Sequence, residues 1–181
     1  MEVININIFI AGSSYDTIDS KYLSVAKEVS KLIAKDNTLV IGGIPSGIPN
    51  NSMMGIYLKS FSNHKYLTVT KYANNLTLEE QEKTKIYKQT MDRTKEIYNI
   101  SDILLFLPGG LGTLAELFGM IEEKRTNNDN KKIIIYNYNN YYDNILNHLT
   151  KISNEKFTNK DDYQNFIIVN NTNDLLKEME R

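Results

Sequence analysis

The chain has no cysteine and only two histidines, His64 and His148, in 181 residues. The lack of cysteine excludes disulfides and thiolate metal sites. Two histidines so far apart in sequence do not make an ordinary zinc ligand set. No metal and no cofactor is therefore expected. Charge of either sign is not in excess: 21 Lys and Arg stand against 22 Asp and Glu, for a formal net charge of -1. Such a balance gives no basic field to hold a nucleic-acid polymer or an anionic lipid surface. No apolar run approaches the ~20 residues that span a bilayer. The opening Met1-Glu2-Val3-Ile4-Asn5 lacks the basic region and cleavage site of a signal peptide. The expectation is a cytoplasmic chain with no membrane partner.

Hydrophobic residues make up 41% and charged residues 24%, an ordinary globular composition. The length suits one domain, expected over residues 1–181, with enough apolar material for a sizeable core.

Short β-rich runs alternate with longer helical stretches. Val3 to Ala11 reads as a first strand, closed by Gly12-Ser13-Ser14. Asp19 to Lys35 carries Tyr22, Val25, Ala26, Val29, Leu32 and Ile33 at helical spacing. Thr38 to Ile41 is a second strand, stopped by Gly42-Gly43. The stretch from Ile44 to Asn51 holds every proline except Pro108 and reads as a loop. A helix near Ser52 to Phe61 and a strand near Tyr66 to Thr70 follow. Thr77-Leu78-Glu79-Glu80 is expected to open one long polar helix running to about Asn99. Its Glu79, Glu80, Glu82, Lys83, Lys85 and Lys88 then make a solvated face with i,i+4 pairs. Asp102 to Leu107 is almost continuously apolar, as in a strand buried on both faces. A helix from Thr113 to about Arg125, a strand Lys132 to Tyr136 and a helix near Tyr142 to Ile152 come next. A strand Phe166 to Val169 and a helix Thr172 to Met179 close the pattern. It predicts an α/β fold: a Rossmann-like, doubly wound parallel sheet, helices on both faces, strand order 3-2-1-4-5-6. The Asn-rich stretches at 127–130, 137–140 and 170–173 read as compositional bias in loops. The tyrosines read as core or interface.

The strongest chemical signal is Leu107-Pro108-Gly109-Gly110-Leu111-Gly112-Thr113-Leu114-Ala115-Glu116, where a buried strand turns into a helix. Glycines admit close approach of a ligand and positive φ. The N–H groups and dipole at a helix start attract phosphate. Gly109, Gly110, Leu111, Gly112 and Thr113 are thus a candidate phosphate cradle. No Lys-Ser/Thr follows, so it is not a Walker loop, and the dinucleotide glycine spacing is absent. In the expected strand order Gly12, Ser13 and Ser14 face the same crevice, with Gly42 and Gly43 on its rim.

Glu116 admits two compatible readings. With Thr113 as N-cap it completes a capping box. It also lies in the first turn beside the glycine loop, off a buried stripe of Leu114, Leu117, Phe118 and Ile121. Arg93 follows Ile86 and Thr90 and precedes Ile97 at helical spacing. It is either a surface Arg or a buried guanidinium that needs a partner, which Glu116 or a phosphate would supply.

These residues resemble the LOG ("lonely guy") family, the cytokinin-activating, lysine-decarboxylase-like proteins. The resemblance rests on P-G-G-x-G-T-x-x-E at Pro108 to Glu116, with Arg93 at the family's distance before the glycines. Gly12-Ser13-Ser14 and Asn137 followed by Tyr141-Tyr142-Asp143 also match. It implies a homodimer that hydrolyses nucleoside 5′-monophosphates to free base and ribose 5-phosphate, with Arg93 and Glu116 as the catalytic pair. Two places depart from the family pattern. Met91-Asp92-Arg93-Thr94-Lys95 lacks its His and adjacent Lys, and Gly42-Gly43-Ile44-Pro45-Ser46-Gly47-Ile48-Pro49-Asn50 replaces its glycine-rich second loop. The alternative is a non-catalytic nucleotide-binding or molybdenum-cofactor-carrier-like module. A nicotinamide oxidoreductase ranks behind both, because no ribose-binding acid ends the second strand.

Overall fold

The computed structural model describes residues 5–74, 76–159 and 166–179. Val3 and Ile4, expected to open the first strand, lie outside them. The strands are β1 (Asn7–Ala11), β2 (Thr38–Ile41), β3 (Asn63–Val69), β4 (Thr84–Tyr87), β5 (Ile103–Phe106), β6 (Lys132–Tyr136) and β7 (Ile167–Val169). The helices are α1 (Ser20–Ile33), α2 (Met53–Ser60), α3 (Leu78–Lys83), α4 (Thr90–Ile100), α5 (Leu111–Asn127), α6 (Asp143–Asn154) and α7 (Thr172–Met179). They build one seven-stranded sheet in the order β4-β3-β2-β1-β5-β6-β7. Every pairing is parallel; Phe9 sits beside Val40 on one side and Leu104 on the other.

The period-2 alternation of each strand sends its apolar residues to both faces. Ile8, Ile10, Leu39, Ile41, Leu105 and Ile134 pack under α1, α2 and α7, against Val25, Val29, Met53, Tyr57 and Leu175. Phe9, Val40, Leu104, Phe106 and Ile135 pack under α4, α5 and α6, against Ile97, Leu117, Met120 and Leu146. Full burial of one such side chain is worth roughly 1.5–3 kcal/mol, so the sheet is gripped from both sides.

This is the expected doubly wound fold, with one strand more. The single long helix expected from Thr77 to Asn99 is instead α3, β4 and α4. Leu67 pairs with Lys85, and Val69 with Tyr87. An edge strand needs only one apolar face, and no residue of β4 is buried, so its charge-rich sequence mimics a helix surface. Of the expected ion pairs, Glu79–Lys83 forms at 2.8 Å, whereas Lys85 reaches Glu96 at 2.6 Å. His64 lies on β3, half-buried, its Nε2 3.0 Å from the Leu58 carbonyl.

None of the glycines adopts positive φ; Asp36, Asn128, Asn139, Asn140 and Lys156 do. Among the described residues no helix is long and apolar enough to cross a membrane.

Candidate active site

Strands β1, β2 and β5 end on one rim of the sheet, and a cleft of about 860 Å³ opens there. Gly12, Ser13 and Ser14 line it after β1, and Gly42 and Gly43 after β2. Gly110, Leu111, Gly112, Thr113 and Glu116 line it from α5, and Arg93 from α4. Gly109 stands just behind, among the residues that shape the loop.

Helix α5 starts at Leu111, with Gly110 as N-cap and no side chain capping it. Thr113 is therefore not the cap, and Glu116 lies deeper in the helix than a capping box requires. The first turn of any helix leaves N–H groups unsatisfied. Among the described residues nothing accepts from the N–H groups of Leu111, Gly112 or Thr113. A Cβ on Gly110 or Gly112 would meet nothing within 4 Å. The backbone is bare at the positive end of a 17-residue helix, which is an anion site in form. Gly109 is glycine for another reason: a Cβ there would run into the Thr113 side chain.

Tyrosines hold this loop from behind. Tyr142 Oη donates to the Leu107 carbonyl at 2.5 Å, and Tyr141 Oη to the Gly109 carbonyl at 2.8 Å. Asn137 locks them: its Oδ1 accepts from Tyr142 N–H at 2.8 Å and its Nδ2 donates to Asp143 at 2.8 Å. Reading Asn137 as compositional bias missed this strut. The only signal for it was the Asn…Tyr-Tyr-Asp pattern itself. On the other side the Pro108 carbonyl accepts from Ser13 N–H at 3.2 Å, joining the two small-residue loops.

Arg93 is the buried guanidinium, not the surface one. It is 8% exposed. Its Nη2 donates to Glu116 Oε1 at 2.8 Å and its Nη1 to the Gly42 carbonyl at 3.1 Å. Its Nε is buried without an acceptor. The close approach of α4 to α5 depends on Gly119, where a Cβ would come 3.2 Å from Thr94 Cγ2. On α5 the inward stripe is Thr113, Leu117 and Met120; Phe118, expected there, is exposed. The Glu116 side chain is 12% exposed. Burial pushes its carboxyl up to about 7, with the Arg93 charge opposing. Among the described residues nothing donates to Glu116 Oε2. One oxygen is thus fixed and the other remains available to a bound molecule.

The cleft thus combines a helix start whose N–H groups no side chain caps with an oriented carboxylate raised toward neutrality. Among the described residues no group of three or more His, Asp or Glu could hold a metal ion.

A family profile described as "Possible lysine decarboxylase" matches residues 27–179. The chain is 26% identical over 160 residues to a probable cytokinin riboside 5′-monophosphate phosphoribohydrolase, LOGL6, of Oryza sativa subsp. japonica. That alignment covers 88% of this chain and 64% of the rice protein, and the match to rice LOGL1, at 32% identity, covers 54% and 44%. The chain thus spans less than two thirds of these relatives' own length. It is 25% identical to the Arabidopsis thaliana cytokinin riboside 5′-monophosphate phosphoribohydrolase LOG4, covering 89% of this chain and 75% of that one. Among solved structures, a molybdenum cofactor carrier protein of Chlamydomonas reinhardtii superposes with TM-score 0.64 at 14% identity, over 98% of this chain and 96% of that one. The molybdenum cofactor binding protein of Rippkaea orientalis gives TM-score 0.59 at 16% identity, over 99% and 97%. These likenesses establish the fold. With the profile spanning most of its length, the chain belongs to the lysine-decarboxylase-like LOG family.

Proposed function

We propose that the protein is a phosphoribohydrolase that cleaves nucleoside 5′-monophosphates to free base and ribose 5-phosphate. The observation that carries this reading is the buried Arg93–Glu116 pair beside an uncapped helix start in one cleft. The 5′-phosphate would sit on the N–H groups of Leu111, Gly112 and Thr113, against Gly110. Gly12, Ser13 and Ser14 would flank it, and Gly43 would border the ribose. Binding energy at the phosphate then places the ribose across Glu116.

In the reaction the C1′–N bond breaks and its electron pair leaves with the base. Positive charge develops at C1′. The ionised Glu116 carboxylate stabilises that charge and orients the attacking water. Water oxygen bonds to C1′, one proton passes to the medium, and the departing nitrogen gains one. Arg93 positions the carboxylate and shares its charge. No cofactor enters this scheme. We also propose a cytoplasmic homodimer; Met91 and Leu111, 80% and 86% exposed, offer apolar surface to a second copy.

The test is chromatographic. Purified protein is incubated with purine and pyrimidine nucleoside monophosphates and with N6-prenylated adenosine monophosphate, and free base is quantified. Wild type should release base; Glu116→Gln and Arg93→Ala should lose roughly 10²–10⁴ in rate. Absence of release from every nucleotide would overturn the reading. If nucleotides still raised thermal stability, the protein would be a binding module instead.

A further inference from the structure

The segment after β2 is where the sequence departs from the family pattern, and it forms one wall of the cleft through Gly43, Ile44, Ser46, Gly47 and Ile48. It contains a short 3-10 turn, Pro45–Gly47, that no side chain of its own caps. Early N–H groups of such a turn need outside acceptors. Ser46 N–H finds one 34 residues away: it donates to Glu80 Oε1 at 2.8 Å. Glu80 Oε2 accepts from Thr77 N–H at 2.8 Å, and Thr77 Oγ1 accepts from Glu80 N–H at 3.2 Å. Glu80, expected on a solvated face, is 6% exposed. Thr77–Glu80 is therefore a capping box, and its carboxylate serves two elements at once.

What lies behind the wall makes this bond matter. A second hollow of about 370 Å³ is lined by Pro45, Ser46, Tyr66, Thr77, Glu79 and Glu80. Ser46 stands between it and the main cleft. Ile44 is buried and Ile48 packs on the core, but Ser46 faces this hollow, and a charge-assisted hydrogen bond ties it there.

Strand order gives the wall its role. The anion site lies at the end of β5, and the Arg93–Glu116 pair lies against Gly42 at the end of β2. Neighbouring strands are about 4.8 Å apart. A mononucleotide with its phosphate at β5 and its ribose at the pair lays its base against residues 44–48. We infer that Glu80 is a positioning residue for base recognition, holding the 44–48 wall at a fixed distance from the ribose so that the cleft accepts a base of defined width. This rests on the nucleotide reading above.

Two measurements on the full chain test it. Amide hydrogen exchange reads the tether without any ligand. Ser46 exchange should rise at least about tenfold in Glu80→Ala and less in Glu80→Gln, and stay near wild type in Thr77→Ala. Steady-state kinetics read the consequence. In Glu80→Ala the KM for adenosine monophosphate should rise about tenfold, with kcat within about twofold. The inhibition constant of ribose 5-phosphate should not change, and discrimination against N6-substituted adenosine monophosphates should narrow. Unchanged Ser46 exchange in folded Glu80→Ala and Glu80→Gln would overturn the tether. Faster exchange with equal weakening of nucleotide and ribose 5-phosphate, or with neither weakened, would overturn the role in base recognition. A wild type that neither cleaves nor binds nucleotides would remove the reading beneath it, and the ligand-free exchange data tell that failure from the tether's own.

Discussion

Glu116 occupies the space that Gly42 leaves empty. A Cβ on Gly42 would fall on Glu116 Oε1 and within 3.4 Å of Arg93 Cζ. The same glycine offers its carbonyl to Arg93 at 3.1 Å. Gly42 has no positive φ, so its role here is room for the pair, not backbone freedom.

Gly42→Ala should therefore act on the pair rather than on the fold. The methyl group would displace the carboxylate, while the backbone remains in a region any residue adopts. We expect base release to fall by about 10²-fold or more, with a melting temperature close to wild type. Parallel turnover and thermal-melt measurements check this. A variant as active as wild type would show that the carboxylate can move without loss.

The pH profile should carry the mark of Glu116. Its carboxyl is raised to about 7 by burial, against the pull of Arg93. The ionised form is the useful one, so kcat/KM should rise as pH passes through about 7 and then level. Stability should move the other way. Between the unfolded value near 4.5 and about 7 the folded chain binds more protons than the unfolded one. Raising pH through that window should then cost the wild type on the order of 3 kcal/mol relative to Glu116→Gln. Denaturant titrations of both proteins at several pH values read this directly.

Tyr142→Phe removes the hydroxyl that grips the Leu107 carbonyl at 2.5 Å. The ring stays buried, and a buried carbonyl loses its donor. The expected destabilisation is about 1–3 kcal/mol. The strut supports the glycine loop, so KM should rise more than kcat falls. Chemical denaturation and Michaelis–Menten analysis separate the two effects.

Glu80 predicts a pH dependence of opposite sign to Glu116. Burial alone would raise its carboxyl, but the Thr77 and Ser46 N–H groups outweigh it and hold the group below its ordinary value. A depressed acid contributes stability that is present above the unfolded value near 4.5 and disappears as pH falls through the folded one. The gap between wild type and Glu80→Gln should be about 1–3 kcal/mol near neutrality. It should shrink in acid, as urea titrations at pH 7 and below pH 4 would show.

Much of this was legible before the structure. Continuous apolar runs such as Ile103–Phe106 mark strands buried on both faces, and the turn chemistry after them places the cleft. What failed were features decided by partners distant in sequence. Thr-x-x-Glu occurs at both Thr77–Glu80 and Thr113–Glu116. Only the helix start tells them apart: α5 begins two residues before Thr113, which releases Glu116 to pair with Arg93. Thr84 to Tyr87 is a strand because β3 lies beside it, not because its own residues demand it. Gly42, Gly109 and Gly119 serve close approach, while asparagines such as Asn128 and Asn139 take the left-handed turns.

Gly42, Arg93 and Glu116 belong to three separate strand–helix units, joined here by two hydrogen bonds. No single unit contains the reacting geometry. The site accordingly depends on how those three units are placed relative to one another. Heating that merely lets α4 slide on α5 will part the guanidinium from its carboxylate while the sheet is still intact. The protein should then fall silent before it melts, its working temperature range limited at the seam between two helices rather than by the strength of its core.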